Sequence, residues 1–120
     1  MIRSFLKAAA LVTLVASPAI AADYKCNSGR VEKGGSTKYN YKESSSEIVI
    51  EKGGSTKGKA VKRGSKWYVE VGGSTQATIE NGKIEKGGSS WATASDAQRT
   101  WDCPADVAAT LWVLAEKGQL

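Results

Sequence analysis

A short phrase recurs four times in the middle of the chain, and it restricts the fold more than any other feature of the sequence. In each copy a β-branched residue and a glutamate come shortly before a Gly-Gly pair, and Ser-Thr or Ser-Ser follows it. The pairs are Gly34-Gly35, Gly53-Gly54, Gly72-Gly73 and Gly87-Gly88. Self-similarity of this kind predicts a repeated supersecondary unit. Because glycine accepts the positive φ angles that tight two-residue hairpins require, the predicted unit is a β-hairpin turn.

A second set of turns lies between the Gly pairs, at Ser44-Ser45-Ser46, Arg63-Gly64-Ser65 and Asn81-Gly82. The runs between turns alternate apolar and polar residues, as strands with one buried face do. They predict about eight strands, at residues 24–33, 36–42, 47–52, 55–62, 66–71, 74–80, 83–86 and 89–93. The chain is therefore expected to be mostly β.

Short consecutive connections predict an antiparallel meander, and the exposed edges of such a sheet must be hidden. Closure into a small barrel or strong curling of the sheet would achieve this. A fibre-forming stack of repeats is the alternative. It is disfavoured because lysine and glutamate interrupt the strands and oppose edge-to-edge pairing.

The hydrophobic period changes after the last strand, over residues 104–117. Val107, Leu111 and Leu114 recur at helical spacing, and Pro104 suits the first turn of a helix. We expect a C-terminal helix that packs on the open side or end of the sheet. A membrane-surface helix is the alternative, but the polar face has too few lysines and arginines for it.

The first residues resemble a secretory signal peptide. Arg3 and Lys7 precede a short apolar run over residues 8–16, and Ala19-Ile20-Ala21 supplies the small residues that a signal peptidase recognises. A transmembrane anchor is the alternative, but the run is shorter than the ~20 residues that span a bilayer. We expect cleavage after Ala21 or Ala22, which divides the chain into a signal peptide, 1–22, and a single domain, 23–120. The predicted location is periplasmic or secreted, with no membrane span after signal removal.

Two cysteines lie near the two ends of this domain, at Cys26 and Cys103. In an oxidising compartment an isolated pair predicts a disulfide. A zinc site is the alternative, but two cysteines in a chain without histidine are a poor ligand set. We therefore predict a disulfide and no metal.

Charge disfavours nucleic acid as a partner. The formal net charge is +5, and it falls to +3 when Arg3 and Lys7 leave with the signal peptide. The remaining lysines are spread along the chain beside glutamates and form no basic cluster, which is typical of a solvated surface.

The sequence offers little for catalysis. Histidine is absent, and both cysteines are assigned to the disulfide. A serine nucleophile would need a lysine or carboxylate base, and a glutamate pair could hydrolyse a glycoside at the right separation. The repeated glutamates, however, sit at equivalent positions beside turns and are expected to face solvent. We predict a binding protein that is not an enzyme and needs no cofactor.

Two features point to a ligand. If the four Gly-Gly turns share one end of the sheet, their Ser and Thr hydroxyls form a polar rim that could hold a glycan or phosphate, although ordinary turn chemistry also explains them. Trp67 and Tyr68 are adjacent on one strand, so one of the two must face outward, where an aromatic ring can anchor a partner.

The chain also resembles the periplasmic and membrane-bound inhibitors of C-type lysozyme. It opens with Tyr24-Lys25-Cys26 followed by Ser28-Gly29, as chains of that family do with a similar Tyr-x-Cys. The segment Gly64-Ser65-Lys66-Trp67-Tyr68 is similar to the family's Ser-Gly-x-x-Tyr motif with the first two residues exchanged. The resemblance implies a small barrel that inhibits a cell-wall hydrolase, with Gly64, Ser65, Lys66 and Tyr68 as the binding residues. A glycan- or envelope-binding module and a structural envelope protein are the alternative functions.

Overall fold

β-Strands joined by tight turns make up most of the protein. A computed structural model describes residues 22–120, so all of the predicted signal peptide, 1–22, except Ala22 lies outside the described residues, and the structure does not test cleavage after Ala21 or Ala22. The strands are β1 (Tyr24–Asn27), β2 (Arg30–Lys33), β3 (Ser36–Glu43), β4 (Glu47–Lys52), β5 (Ser55–Arg63), β6 (Lys66–Val71), β7 (Ser74–Glu80), β8 (Lys83–Lys86), β9 (Ser89–Thr93) and β10 (Trp101–Asp102). The helices are α1 (Ala94–Ala97) and α2 (Ala105–Glu116).

The strands form one ten-stranded sheet in the order β9-β8-β7-β6-β5-β4-β3-β2-β1-β10. Strands β1 to β9 are an antiparallel meander, and β10 adds to β1 in parallel. The predicted meander is confirmed. The segment 24–33, predicted as one strand, is two strands because Ser28 and Gly29 adopt φ angles of 49° and 85° and close another hairpin.

The four Gly-Gly turns are equivalent. The first glycine of each pair has φ between 58° and 60°, and the second has φ between 83° and 86°, as a type I′ turn requires. Because the strands alternate in direction, all four turns lie at one end of the sheet, here called the Gly-Gly end. The other hairpins lie at the opposite end.

Each repeat also contains a β-bulge that the sequence did not predict. The strand that leaves each Gly pair has one extra residue against its partner, and these residues are Lys38, Lys57, Gln76 and Trp91. A bulge bends its strand and increases the local twist. Four bulges at the same level therefore curl the sheet.

The connection 94–100 shows how far the sheet curls. It joins β9 to β10, which are the two edges of the sheet. Nine strand spacings of about 4.8 Å would hold these edges roughly 43 Å apart in a flat sheet. Eight steps of extended chain reach at most ~28 Å, and α1 shortens them further. The edges are therefore brought near each other, but they do not pair, and the sheet is curled and not a closed barrel.

The core lies on the inner face of the curl. The β-branched residue of each repeat is fully buried there, at Val31, Ile50, Val69 and Ile84. Helix α2 confirms the predicted helix at 104–117. Its burial is broader than the predicted stripe, because Ala109, Thr110 and Val113 are also fully buried. The helix contacts β4 to β7 on one side and α1 and β10 on another, so the sheet wraps around it.

The region where the two sheet edges approach each other is tied by local and covalent bonds. Thr93 and Asp96 form a reciprocal capping box that starts α1. The predicted disulfide is present between Cys26 on β1 and Cys103, just before α2, with Cα atoms 4.9 Å apart. It is compatible with an oxidising, extracytoplasmic location. No helix within residues 22–120 has the length and apolar character to cross a membrane.

Candidate functional site

The predicted binding residues lie together on the β5–β6 hairpin, at the end of the sheet opposite the Gly-Gly turns. Gly64 and Ser65 form its exposed two-residue turn, and Gly64 has φ of 65°. Lys66 begins β6 and is half-buried. Tyr68 lies further along β6 on the outer face and is also half-buried, whereas its neighbour Trp67 is buried in the core. One of the two adjacent aromatic residues therefore faces outward, as predicted.

Three contacts hold this hairpin in one conformation. The Ser65 hydroxyl donates a hydrogen bond of 2.6 Å to a carboxylate oxygen of Glu80 on β7. The Arg63 guanidinium lies 5.0 Å from the centre of the Tyr68 ring and donates to Glu70 Oε2 at 3.2 Å. Tyr68 thus supports an arginine that is clamped between an aromatic face and a carboxylate, an arrangement that restricts a long side chain.

The tip of the hairpin is cationic. Lys62, Arg63 and Lys66 surround the Gly64-Ser65 turn. The Lys62 ammonium lies 5.7 Å from the centre of the Trp67 ring. Arg63 is ion-paired but more than half exposed, at 58% of its side-chain surface. Together with the carboxylates of Glu70 and Glu80, these three basic side chains leave an excess of one positive charge on a preorganised turn.

Glu70 corrects the expectation that all the repeated glutamates face solvent. It is only 9% exposed and is ion-paired with Arg63. Glu32 and Glu51, at the equivalent positions of two other repeats, retain 24% of their side-chain exposure. The sequence alone did not identify Glu70 or Glu80 as partners of the hairpin, because these contacts depend on the path of the Arg63 side chain and on the pairing of β6 with β7.

Lysines cover aromatic rings in three of the four repeats at the Gly-Gly end. The lysine before each Gly pair places its ammonium 5.2 Å, 5.7 Å and 5.0 Å from a ring centre, in the pairs Lys33–Tyr24, Lys52–Tyr39 and Lys86–Trp91. Such cation–π contacts are favourable, and they occupy ring surface that could otherwise stack on a sugar. The fourth repeat has Val71 at this position.

An aromatic cluster lies behind the first two of these lysines. Tyr24 and Trp101 stack with ring centres 4.2 Å apart, and Tyr39 contacts both rings at 6.2–6.3 Å. Burial, together with the neighbouring Tyr24 phenol, raises the pKa of Tyr39 above its ordinary value of 10.0. The phenol is therefore neutral near pH 7 and acts as part of the core.

A cavity of about 490 Å³ opens beside the third Gly-Gly turn. Gly72 and Gly73 form part of its wall, Val49 and Val71 supply apolar surface, and Gln119 lies on another side. Its charged lining consists of two glutamates and two lysines, which are Glu47, Glu70, Lys57 and Lys59. This volume is within the range of small-molecule sites.

The described residues contain no cluster of three or more side chains of the types His, Cys, Asp and Glu that could hold a metal ion. Both cysteines are in the disulfide. The protein was compared with family models, curated proteins and solved structures, and nothing in any of the three sets matches it.

Proposed function

We propose that the protein is exported and inhibits a cell-wall glycoside hydrolase such as lysozyme, with the β5–β6 hairpin as its contact surface. The observation that carries the proposal is the fixed, cationic tip of this hairpin. Arg63 is held by Tyr68 and Glu70, and Ser65 is held by Glu80. A turn that is already ordered loses little conformational entropy when it binds.

The chemistry of the tip suits the active site of such an enzyme. Glycoside hydrolases generally carry a pair of Asp or Glu side chains that flank the scissile bond. Lys66 and the exposed part of Arg63 could pair with these carboxylates and block the cleft. Complementary charge would also favour encounter with an acidic cleft.

The Gly-Gly end is less suited to the alternative, glycan binding. Its rings at Tyr24, Tyr39 and Trp91 are already covered by lysine ammonium groups. Tyr24 is also stacked on Trp101. A sugar would have to displace these contacts before it could stack, so we favour the hairpin.

The test measures lysis of a cell-wall suspension by lysozyme in the presence of the purified protein. Ser65→Ala with Tyr68→Ala removes two contacts of the hairpin and should weaken inhibition at least about thirtyfold, the loss expected when a central interface contact worth about 2 kcal/mol is removed. Lys66→Glu should have a similar effect because it reverses charge at the tip.

Lys83→Glu is the matched control, because it reverses a lysine on the β7–β8 hairpin at the same end of the sheet. Replacing Ser36, Thr37, Ser55 and Thr56 at the Gly-Gly end should also leave inhibition unchanged. Equal inhibition by wild type and the tip variants would contradict the assignment of the surface. If the wild type does not slow lysozyme or another cell-wall glycosidase, the proposal is wrong, and retention on peptidoglycan would then favour the glycan-binding alternative.

A further inference from the structure

The cavity beside Gly72-Gly73 contains the one charged side chain that is buried among residues 22–120. Glu70 is 9% exposed and lines the cavity wall. A buried carboxylate is costly unless its oxygens accept hydrogen bonds. Its Oε2 atom accepts from Arg63, whereas Oε1 accepts no hydrogen bond from any residue in the described part of the chain. The second oxygen is thus available to a donor in the cavity.

The two lysines that line the cavity differ in whether they form an ion pair. Lys59 is ion-paired with Glu47 at 3.6 Å. Lys57, on the bulge of β5, makes no ion pair with a carboxylate among residues 22–120. Residues 1–21 contain neither Asp nor Glu. The cavity therefore combines one carboxylate oxygen and one ammonium group that are both open to a ligand.

The repeat that lines the cavity differs in sequence from the other three repeats. At the residue before the Gly pair, the other three copies have a lysine that covers an aromatic ring, whereas this copy has Val71, which lines the cavity. This departure removes a lysine charge at the cavity, and it is not needed for the turn.

We propose that this cavity binds a zwitterion with an apolar side chain, that is, a free amino acid or a short peptide. The ligand ammonium donates to Glu70 Oε1, its carboxylate pairs with Lys57, and its side chain lies against Val49 and Val71. Glu47 is paired with Lys59 and Glu70 with Arg63, so the ligand carboxylate would compensate Lys57 while its ammonium uses the remaining oxygen of Glu70. This site shares Glu70 with the β5–β6 hairpin, because Arg63 occupies Oε2, but the proposal does not depend on inhibition of a hydrolase.

The experiment titrates the purified full chain with leucine and leucyl-leucine and follows binding by NMR chemical shifts. Isoamylamine and 4-methylpentanoate serve as matched probes that lack the carboxylate and the ammonium. Leucine or leucyl-leucine should bind with shifts confined to the cavity, and each single-charge probe should bind at least about tenfold more weakly, as expected for loss of a charged hydrogen bond.

Glu70→Gln should weaken zwitterion binding at least about tenfold. Glu85→Gln is its matched control, because Glu85 has the same place in the fourth repeat and lies outside the cavity. Val71→Lys restores the residue found in the other repeats and should block the cavity while the fold is kept, so the proposal stays testable if Glu70→Gln disturbs Arg63.

Binding that survives Val71→Lys, or that Glu85→Gln weakens as much as Glu70→Gln does, would place the ligand elsewhere and overturn the proposal. If the single-charge probes bind as tightly as leucine does, the inference that the ligand is a zwitterion is wrong. Failure of both leucine and leucyl-leucine to bind at millimolar concentration would overturn the site itself.

Discussion

The position of helix α2 inside the curled sheet can be tested at Gly58. A Cβ atom at this residue would overlap Leu114 Cδ2, and it would also lie 3.0 Å from Leu114 Cδ1 and 3.2 Å from the Glu70 carbonyl oxygen. Leu114 is fully buried, so its side chain has little room to move away. Gly58→Ala therefore adds a methyl group to a filled core.

Overpacking of this kind costs about 1–3 kcal/mol in the free energy of unfolding. For a domain of this size, each kcal/mol lowers Tm by roughly 4–8 °C. Leu114→Ala alone should cost about 2–5 kcal/mol because it leaves a cavity. In the double variant the new methyl group occupies space that the leucine vacated, so the cost of Gly58→Ala should be largely abolished, with a coupling energy of about 0.5–3 kcal/mol.

The assay is urea unfolding of the oxidised protein, followed by tryptophan fluorescence and far-UV circular dichroism. Gly54→Ala is the control, because Gly54 has φ of 83° and no atom within 4 Å of an added Cβ. It should cost about 1–2 kcal/mol through backbone strain, and this cost should be the same with or without Leu114. If Gly58→Ala costs the same in both backgrounds, α2 does not pack against β5 as described.

Three further predictions concern the core, the disulfide and α1. The free energy of unfolding should fall as pH rises above about 10, because burial raises the pKa of Tyr39 and the unfolded chain loses this phenolic proton first. Tyr39→Phe should therefore reduce the fall of Tm at alkaline pH. An equal fall of Tm in wild type and variant would contradict this explanation. Reduction of Cys26–Cys103 should lower the free energy of unfolding by about 2–5 kcal/mol, measured by urea unfolding with and without reductant, and two free thiols in the denatured, unreduced protein would refute the disulfide. Thr93→Ala removes the side-chain cap of α1 and should cost about 0.5–2 kcal/mol, whereas no change in Tm would show that α1 contributes little to stability.

The turns could be predicted from the sequence because glycine is the residue that most readily adopts positive φ. Each Gly-Gly pair favours positive φ, and a hairpin explains four such pairs at spacings of 19, 19 and 15 residues. The bulges could not be predicted in this way. Their extra residues are Lys38, Lys57, Gln76 and Trp91, which share no conformational preference, so the chemistry of the side chain does not signal the bulge.

Two short elements were missed although the sequence contained their signals. Ser28-Gly29 is a turn dipeptide, and its hairpin divides the first predicted strand. Thr93 and Asp96 are at capping-box spacing and begin α1. Such signals are short and are easily outweighed by the longer apolar patterns on either side.

The sequence also indicated that α2 is buried on all sides. No charged residue occurs between Asp106 and Glu116, and a helix that is apolar all around is usually buried. The predicted stripe at Val107, Leu111 and Leu114 accounted for one packed face only. A sheet that curls supplies the other faces, and the curl depends on bulges that the sequence did not reveal.

The predicted binding residues show a similar limit of prediction from sequence. Gly64, Ser65, Lys66 and Tyr68 were predicted as one group, and local chain geometry alone brings them together on a hairpin. Two carboxylates fix them, Glu70 from the far end of β6 and Glu80 from β7. The contact of Ser65 with Glu80 depends on the register of β6 and β7, and this register contains the bulge at Gln76.

The region where the sheet edges meet, between β9 and β10, explains why the protein needs both α1 and the disulfide. A meander with unpaired edges can add strands from other chains, and a closed barrel would remove the edges. Here each edge is fixed on its own side, by a hydrogen bond from Ala94 N to Gly82 O near β9 and by a hydrogen bond from Tyr24 N to Thr100 O and the Cys26–Cys103 bond near β10. The disulfide joins the β1 side of this region to the start of α2, so it fixes the helix and the sheet edge with one bond. Local opening should begin where contacts are fewest, and the covalent bond keeps β1 and the start of α2 together if the unpaired edges separate.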